Sequence, residues 1–278
     1  MTNRPWLSAY PEGVPADVQL DHYQSLVQLM ENSFKRYANR TAYSFMGKEV
    51  SYQETDSLSL ALATYLQGLG LAKGDRVAIM MPNVPQYPVA VAAILRAGLV
   101  VVNVNPLYTP RELEHQLKDS GAKAIVIIEN FAHTLEQCLA QTPVKHIVLA
   151  AMGDRLGLLK GALVNYVVRN VKKMVPPFNL PQAVRFNDAL ARGTKGTLKK
   201  PTLTPTDVAV LQYTGGTTGV SKGAVLLHSN VIANALQSEA WNAPVMANIP
   251  AGEQPTSVCA LPLYHIFAFT VNMMLGLR

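Results

Sequence analysis

The stretch from Lys73 to Val104 constrains the fold more than any other part of this chain. A charged turn, Lys73-Gly-Asp-Arg76, feeds the apolar run Val77-Ala-Ile-Met-Met81, which stops at Pro82-Asn83. So short an apolar run, closed by proline, reads as a strand buried on both faces. A helical period follows over Val84–Ala97, and a second apolar strand over Val100–Val104. Strand, helix and strand in that order make a β-α-β unit, whose two strands lie parallel. The alternation continues. Thr109 is a helix N-cap with Pro110 at the first helical position, opening a helix over Arg111–Ser120. Strand Ala124–Ile128, a helix near Phe131–Ala140 and strand His146–Leu149 come next. The expected fold class is α/β, with layered, mostly parallel sheets flanked by helices.

Residues 1–20 are Pro-rich and irregular. Leu26, Leu29, Met30 and Phe34 share one helical face, and Tyr43–Tyr52 reads as a hairpin turning at Gly47-Lys48. Leu58, Leu62, Tyr65 and Leu66 mark a helix ended by Gly68-Leu-Gly70. In the segment Asp154–Pro177, Leu156, Leu159, Leu163, Val167, Val171 and Met174 line one helical face. Asn165, Arg169, Lys172 and Lys173 lie opposite, and Pro176-Pro177 ends the helix. The favoured reading is an ordinary helix docked on the sheet through its apolar face; the alternative is an amphipathic helix in a membrane interface. Residues 191–205 read as an exposed connector. Leu227-His-Ser-Asn230 caps a helix to about Trp241, a loop spans 242–257, and Ser257–Leu261 reads as a strand. An apolar helical pattern over Phe267–Leu277 then runs to the last residues, as in a chain that continues further. His115, His133 and His146 are read as surface residues, Glu112 and Glu114 as solvated, and Cys138 and Cys259 as buried thiols.

Hydrophobic residues make up 49% of the chain and charged residues 15%, which excludes a disordered protein. The net charge of +6 is scattered apart from clusters near 169–173 and 192–200. Without aromatic residues interleaved among the basic ones, nucleic acid is excluded as a partner. Two cysteines far apart in sequence suit a reducing compartment. The N-terminus lacks the apolar core of a signal peptide. The most apolar stretch, Val89–Val104, is broken by Arg96 and Asn103 and falls short of the ~20 residues of a membrane helix. The expected location is cytoplasmic.

The chemistry lies between two apolar runs, in Leu211-Gln-Tyr-Thr-Gly-Gly-Thr-Thr-Gly-Val-Ser-Lys222-Gly-Ala-Val-Leu-Leu-His228. Glycines let backbone N–H groups crowd together and point one way, hydroxyls add donors, and Lys222 adds a mobile cation. Those are the groups that hold a polyphosphate. The familiar nucleotide loop ends Gly-Lys-Ser/Thr at a helix, whereas here Lys222 lies between Ser221 and Gly223. A plain flexible turn is the bland alternative, and the density of hydroxyls beside a lysine favours phosphate.

Thr214–Gly223 resembles the signature loop of the adenylate-forming superfamily, which ends Thr-Gly-x-Pro-Lys-Gly, with Ser221 where proline is usual. The resemblance extends through Lys73–Asn83, Val101–His115 and Leu261–Phe267, where the chain is similar to the bacterial long-chain fatty-acid–CoA ligases of β-oxidation. It implies an acyl-adenylate made from fatty acid and ATP with release of pyrophosphate, then transfer of the acyl group to coenzyme A. By position it makes Tyr213, Thr214, Gly215, Gly216, Thr217, Thr218, Gly219, Val220, Ser221, Lys222, Gly223 and Ala224 the ATP loop. Lys222 would neutralise phosphate charge and Thr214 would help to hold Mg2+. His265 would sit beside the acyl and adenylate groups, with Ile266, Phe267 and Phe269 lining the acyl tunnel. Some relatives carry a gating tryptophan at the position of Phe269.

The implied cofactors are ATP and Mg2+, with coenzyme A as co-substrate. The implied partners are a long-chain fatty acid, coenzyme A and a second copy of the chain as a homodimer. A peripheral contact with anionic lipid at the inner face of the cytoplasmic membrane is also open. Residues 1–278 would be an incomplete large N-terminal AMP-binding domain. A first subdomain would span 1–200, including 154–177, and a second would start over 201–278. The C-terminal domain with its catalytic lysine would be absent, so that this stretch completes neither half-reaction alone. A ligase for another carboxylic acid, or a non-catalytic lipid-binding module built on 154–177, are the competing readings.

Overall fold

In the computed structural model, which describes residues 4–20, 22–214, 221–250 and 252–278, the apolar run after Lys73 becomes β3 (Arg76–Met80). It lies near the middle of a seven-stranded sheet. β4 (Val100–Asn103) and β5 (Ala122–Ile128) flank it on either side. Beyond β5 lie β6 (His146–Ala150) and the short β7 (Val184–Arg185). Beyond β4 lie β8 (Val208–Thr214) and β9 (Lys222–Leu227). Among the described residues of this sheet only the β8–β9 pair is antiparallel; the mostly parallel sheet is as expected. β8 and β9 extend the same sheet. A separate hairpin joins β1 (Thr41–Phe45) and β2 (Lys48–Ser51).

Successive side chains of a strand point to opposite faces, and β3 divides the core accordingly. Val77 and Ile79 pack into one buried cluster with α1 (Leu26–Arg36), α2 (Tyr52–Gly68) and α3 (Gln86–Arg96). Ala78 and Met80 pack into the other with α4 (Pro110–Ser120) and α5 (Ala132–Cys138). Helices thus cover both faces, which is why β3 from Val77 and β4 up to Val102 show no polar alternation. The Thr109 cap forms as read, reinforced by Glu112, whose carboxylate accepts from the Thr109 backbone N–H (2.8 Å). Glu112 is therefore a capping residue rather than a merely solvated acid.

Several local expectations are corrected. The hairpin turns at Met46-Gly47, both with positive φ, so the turn begins one residue earlier than read. β7 and α7 (Phe186–Gly193) occupy sequence that carried no assignment or was read as connector. Gly193 lies so close to α2 that a Cβ there would come 1.8 Å from the Ala61 carbonyl oxygen. α8 (His228–Met246) passes Trp241 and tolerates Pro244 in its last turn. Ser257–Leu261 forms no strand; its backbone is fixed instead by side chains from elsewhere. The segment 154–177 is helical only over α6 (Leu158–Tyr166) and a wider turn, Val167–Val171. Leu156 is buried, but the helix itself does not dock through its apolar stripe, because Leu159 and Leu163 face outward.

His228, the first residue of α8, is buried, and its Nδ1 accepts the Leu26 backbone N–H at 3.1 Å. Burial lowers its pKa from 6.5 to about 4, with Asp207 opposing and Lys73 adding to the shift. The fold holds the neutral imidazole, so the unfolded chain takes up the proton first as pH falls. Stability is therefore expected to be full above pH 6.5 and to fall by about 3 kcal/mol as pH drops through the window from 6.5 to 4. Urea denaturation across that window should show the loss, and His228→Gln should remove most of the pH dependence. A dependence equal to that of the unsubstituted protein would contradict it.

Candidate functional site

Three neighbouring parallel strands end on one edge of the sheet. β3 leads into Pro82-Asn83, β4 into Asn105-Pro106-Leu107, and β8 reaches Thr214. Ligands of open parallel sheets gather at the carboxyl ends of the strands, where successive connections diverge. β4 and β5 leave β3 on opposite sides, so that divergence occurs here.

Two polar side chains interrupt the apolar strands next to this edge, and they meet. Asn103 and Gln212 are register partners on β4 and β8, and Asn103 Nδ2 donates to Gln212 Oε1 at 3.0 Å. The Tyr87 hydroxyl from α3 lies 2.6 Å from Asn103 Oδ1 and 2.9 Å from the Leu263 carbonyl. Burial, with Cys259 adding to it, raises the Tyr87 pKa well above the ordinary phenol value, which keeps it a proton donor. Gln212 Nε2 donates in turn to the Tyr264 carbonyl at 3.0 Å. Polar groups are buried at little cost only when paired, and these pair with one another and with residues 263–264. Asn83 completes the hold. Its Nδ2 donates to the carbonyls of Cys259 and Leu261 (2.9 Å each), and its Oδ1 accepts the Leu263 N–H (2.8 Å).

The consequence is that His265 is tied to the root of the glycine-rich loop. Gln212, two residues before Thr214, holds the carbonyl immediately before His265. The His265 ring is exposed, and its Nδ1 accepts the Phe267 N–H at 3.4 Å. It caps α9 (Ile266–Ala268), which continues in irregular turns to Leu277. Ile266 is half-buried, Phe267 is 54% exposed, and Phe269 is wholly inside the main core. The two phenylalanines thus point into different surroundings, and only Phe267 reaches the surface. Beside this segment an open hollow of about 280 Å³, lined by Pro82, Pro106, Leu107, Phe131, Pro262 and Tyr264, covers the ends of β3 and β4.

Both rims of the loop are described. Thr214 and Lys222 are partners across the β8–β9 ladder, and both are exposed, as is Ala224. Tyr213 lies beneath. A Cβ on Gly223 would come 2.9 Å from its ring, so glycine alone fits that approach. The Tyr213 hydroxyl donates to Asp119 Oδ2 at 2.6 Å, and burial together with that carboxylate raises its pKa. The trailing rim is held from α4, where His115 Nε2 is 3.2 Å from the Ser221 carbonyl. His115 is thus not the bare surface residue it was read as. Gly215, Gly216, Thr217, Thr218, Gly219 and Val220 lie outside the described residues. Among the described residues no group of three or more His, Cys, Asp or Glu could hold a metal ion. No described helix is long and apolar enough to cross a membrane.

Asn83, Asp119 and Tyr213's role as a brace escaped sequence reasoning. Asn103 and Gln212 carried a signal: each is a lone amide in an apolar strand.

A mostly parallel α/β sheet, with both ends of a hydroxyl- and glycine-rich stretch at its carboxyl edge, belongs to the class of folds that gather ligands at that edge. The AMP-binding enzyme family model matches residues 30–278, and the chain belongs to that family. The long-chain-fatty-acid–CoA ligase of Escherichia coli O157:H7 is 55% identical over 271 residues, 97% of this chain and 48% of that protein. The chain therefore spans about half the length of the curated relatives it matches. Among solved structures, the anthranilate–CoA ligase AuaEII in complex with anthranoyl-AMP superposes with a TM-score of 0.72 at 19% identity, covering 94% of this chain and 45% of that one. A long-chain-fatty-acid–CoA ligase from Archaeoglobus fulgidus superposes with a TM-score of 0.68 at 22% identity, covering 96% and 48%. At such identities the structures establish the fold.

Gln212→Leu should leave the Asn103 amide and the Tyr264 carbonyl without their partner in a buried setting. The expected loss is about 2 kcal/mol of stability, measured by urea denaturation. A change within a few tenths of a kcal/mol would mean that these bonds do not organise the site.

Proposed function

We propose that these residues are the nucleotide-gripping half of a ligase that activates a long-chain fatty acid with ATP and then joins it to coenzyme A. One observation carries the reading: Gln212 ties the backbone beside His265 to the strand that ends in the phosphate-type loop, at the ligand-binding edge of the sheet. The similarity to long-chain-fatty-acid–CoA ligases at 55% identity supports the choice of substrate.

A carboxylate attacking an α-phosphate meets charge repulsion, and cations and N–H donors at the phosphates reduce it. Lys222 is the residue assigned to that task, with Thr214 and the loop glycines and hydroxyls cradling the β- and γ-phosphates. The donor set suits a polyanion, since an exposed cation and an exposed hydroxyl face each other at the mouth of the loop. Mg2+ would be held by the Thr214 hydroxyl together with the nucleotide's own oxygens, and it would supply further charge neutralisation. His265 would face the acyl and adenylate groups, with Ile266 and Phe267 at the acyl entrance and Phe269 supporting them from the core. The same proposal places the protein in fatty-acid degradation, as a homodimer in peripheral contact with anionic membrane. The first subdomain would span 1–200 and a second would start over 201–278, and the remaining catalytic groups would lie in the half of the relatives' length that this chain does not span.

The test is ATP–pyrophosphate exchange by the full-length protein with a panel of acids. Long-chain fatty acids should support exchange best, and Lys222→Ala should lower it about 100-fold, the scale of losing one transition-state donor. Unchanged exchange in Lys222→Ala would refute the phosphate assignment. Preference for an aryl or short acid would refute the substrate.

A further inference from the structure

We infer that the outer face of Leu158–Met174 is a docking surface for a lipid bilayer that carries anionic lipid. This deepens the peripheral contact proposed above by assigning its surface. It needs neither nucleotide nor fatty acid, so its failure would leave the ligase reading standing.

An ordinary surface helix buries its apolar stripe and turns its polar residues to water. Here the attachment is reversed. Gly161 packs on Gly153 so closely that a Cβ on either would come 2.3–2.4 Å from the other's carbonyl oxygen. Asn165 Oδ1 accepts the Gly153 N–H at 2.7 Å. Arg169 reaches inward with two bonds, 2.7 and 2.9 Å, to Glu129, whose side chain is only 2% exposed. Asn130 Nδ2 donates to the Met174 carbonyl at 3.1 Å. Small and polar positions therefore grip the body of the protein.

The apolar positions are left outside. Leu158 is 93% exposed, Leu159 89% and Leu163 63%, with Tyr166, Val171 and Met174 also exposed. Leucines displayed in a contiguous group mark an interaction surface rather than scatter. The charge around them selects the partner. From Arg155 to Asn187 the chain has no acidic residue, while Arg155, Lys160, Arg169, Lys172, Lys173 and Arg185 are basic. Arg155 pairs with Glu54, and Arg169 and Arg185 pair with Glu129. Lys160 bonds the Met46 carbonyl, and Lys172 and Lys173 are exposed beside Val171 and Met174. Leucines flanked by lysines complement acyl chains beneath anionic headgroups. A two-fold contact with a second copy would instead bring patches of like charge together.

The experiment is flotation of the full-length protein with phosphatidylcholine vesicles, with and without added phosphatidylglycerol, and without nucleotide. The protein should float with the anionic vesicles. Leu159→Ser with Leu163→Ser should weaken partitioning about tenfold or more, with an unchanged melting temperature because both side chains are exposed. Lys172→Glu with Lys173→Glu should weaken binding to the anionic vesicles only. A Leu163→Cys variant should react with a maleimide in solution and become protected on adding anionic vesicles. Flotation by the leucine variant equal to the unsubstituted protein would overturn the inference. So would an introduced thiol that is already protected without vesicles, which would mean that the remainder of the chain covers this face. A dimer that the leucine substitutions convert to monomer would assign the face to a second copy.

Discussion

The whole carboxyl edge of the sheet depends on one chain of buried polar side chains, a phenol and two amides. Tyr87, Asn103 and Gln212 come from a helix and two adjacent strands, and each has its polar atoms satisfied by the next. Their far end is the backbone at 263–264. In a low-dielectric interior such a chain is stiff, because losing any bond leaves a buried group unpaired. It therefore transmits the position of β8 to His265 with little slack. Asn83 adds a second hold on the same segment from the end of β3. Residues 259–264 have no strand or helix of their own, and these side chains are what define their path.

The loop rims are treated similarly. Tyr213 supports the strand pair from below through Asp119, and the absence of a side chain on Gly223 is what lets the ring lie there. His115 reaches Ser221 from α4, the helix that follows β4, and so braces the trailing rim of the loop. The two rims from which the hydroxyl- and glycine-rich stretch departs are thus held by side chains from the body of the fold.

Much of this was legible in the sequence because two periodicities coincide with burial. Strands buried on both faces are apolar without alternation, so β3, β4, β5 and β6 could be placed from composition alone, and Thr109-Pro110 announced α4. The loop was legible through its residue types. What failed was information carried by distant partners. Ser257–Leu261 has a strand-like composition, but its backbone bonds go to Asn83 rather than to a neighbouring strand. The stripe of Leu159 and Leu163 has the period of a docked helix, and nothing local reveals that Gly153 and Glu129 hold the opposite face. His115 looked like a surface residue because its partner, Ser221, lies far away in sequence.

The central claim is that the loop strand and His265 act as one unit through Gln212. A double-mutant cycle in the full-length protein tests it most directly, with adenylate formation measured for Gln212→Leu, His265→Ala and the pair. Residues in one network should couple by about 1 kcal/mol or more, so the double variant should lose clearly less than the sum of the single losses. Losses that add within a few tenths of a kcal/mol would show that the two residues act independently, and would contradict the claim.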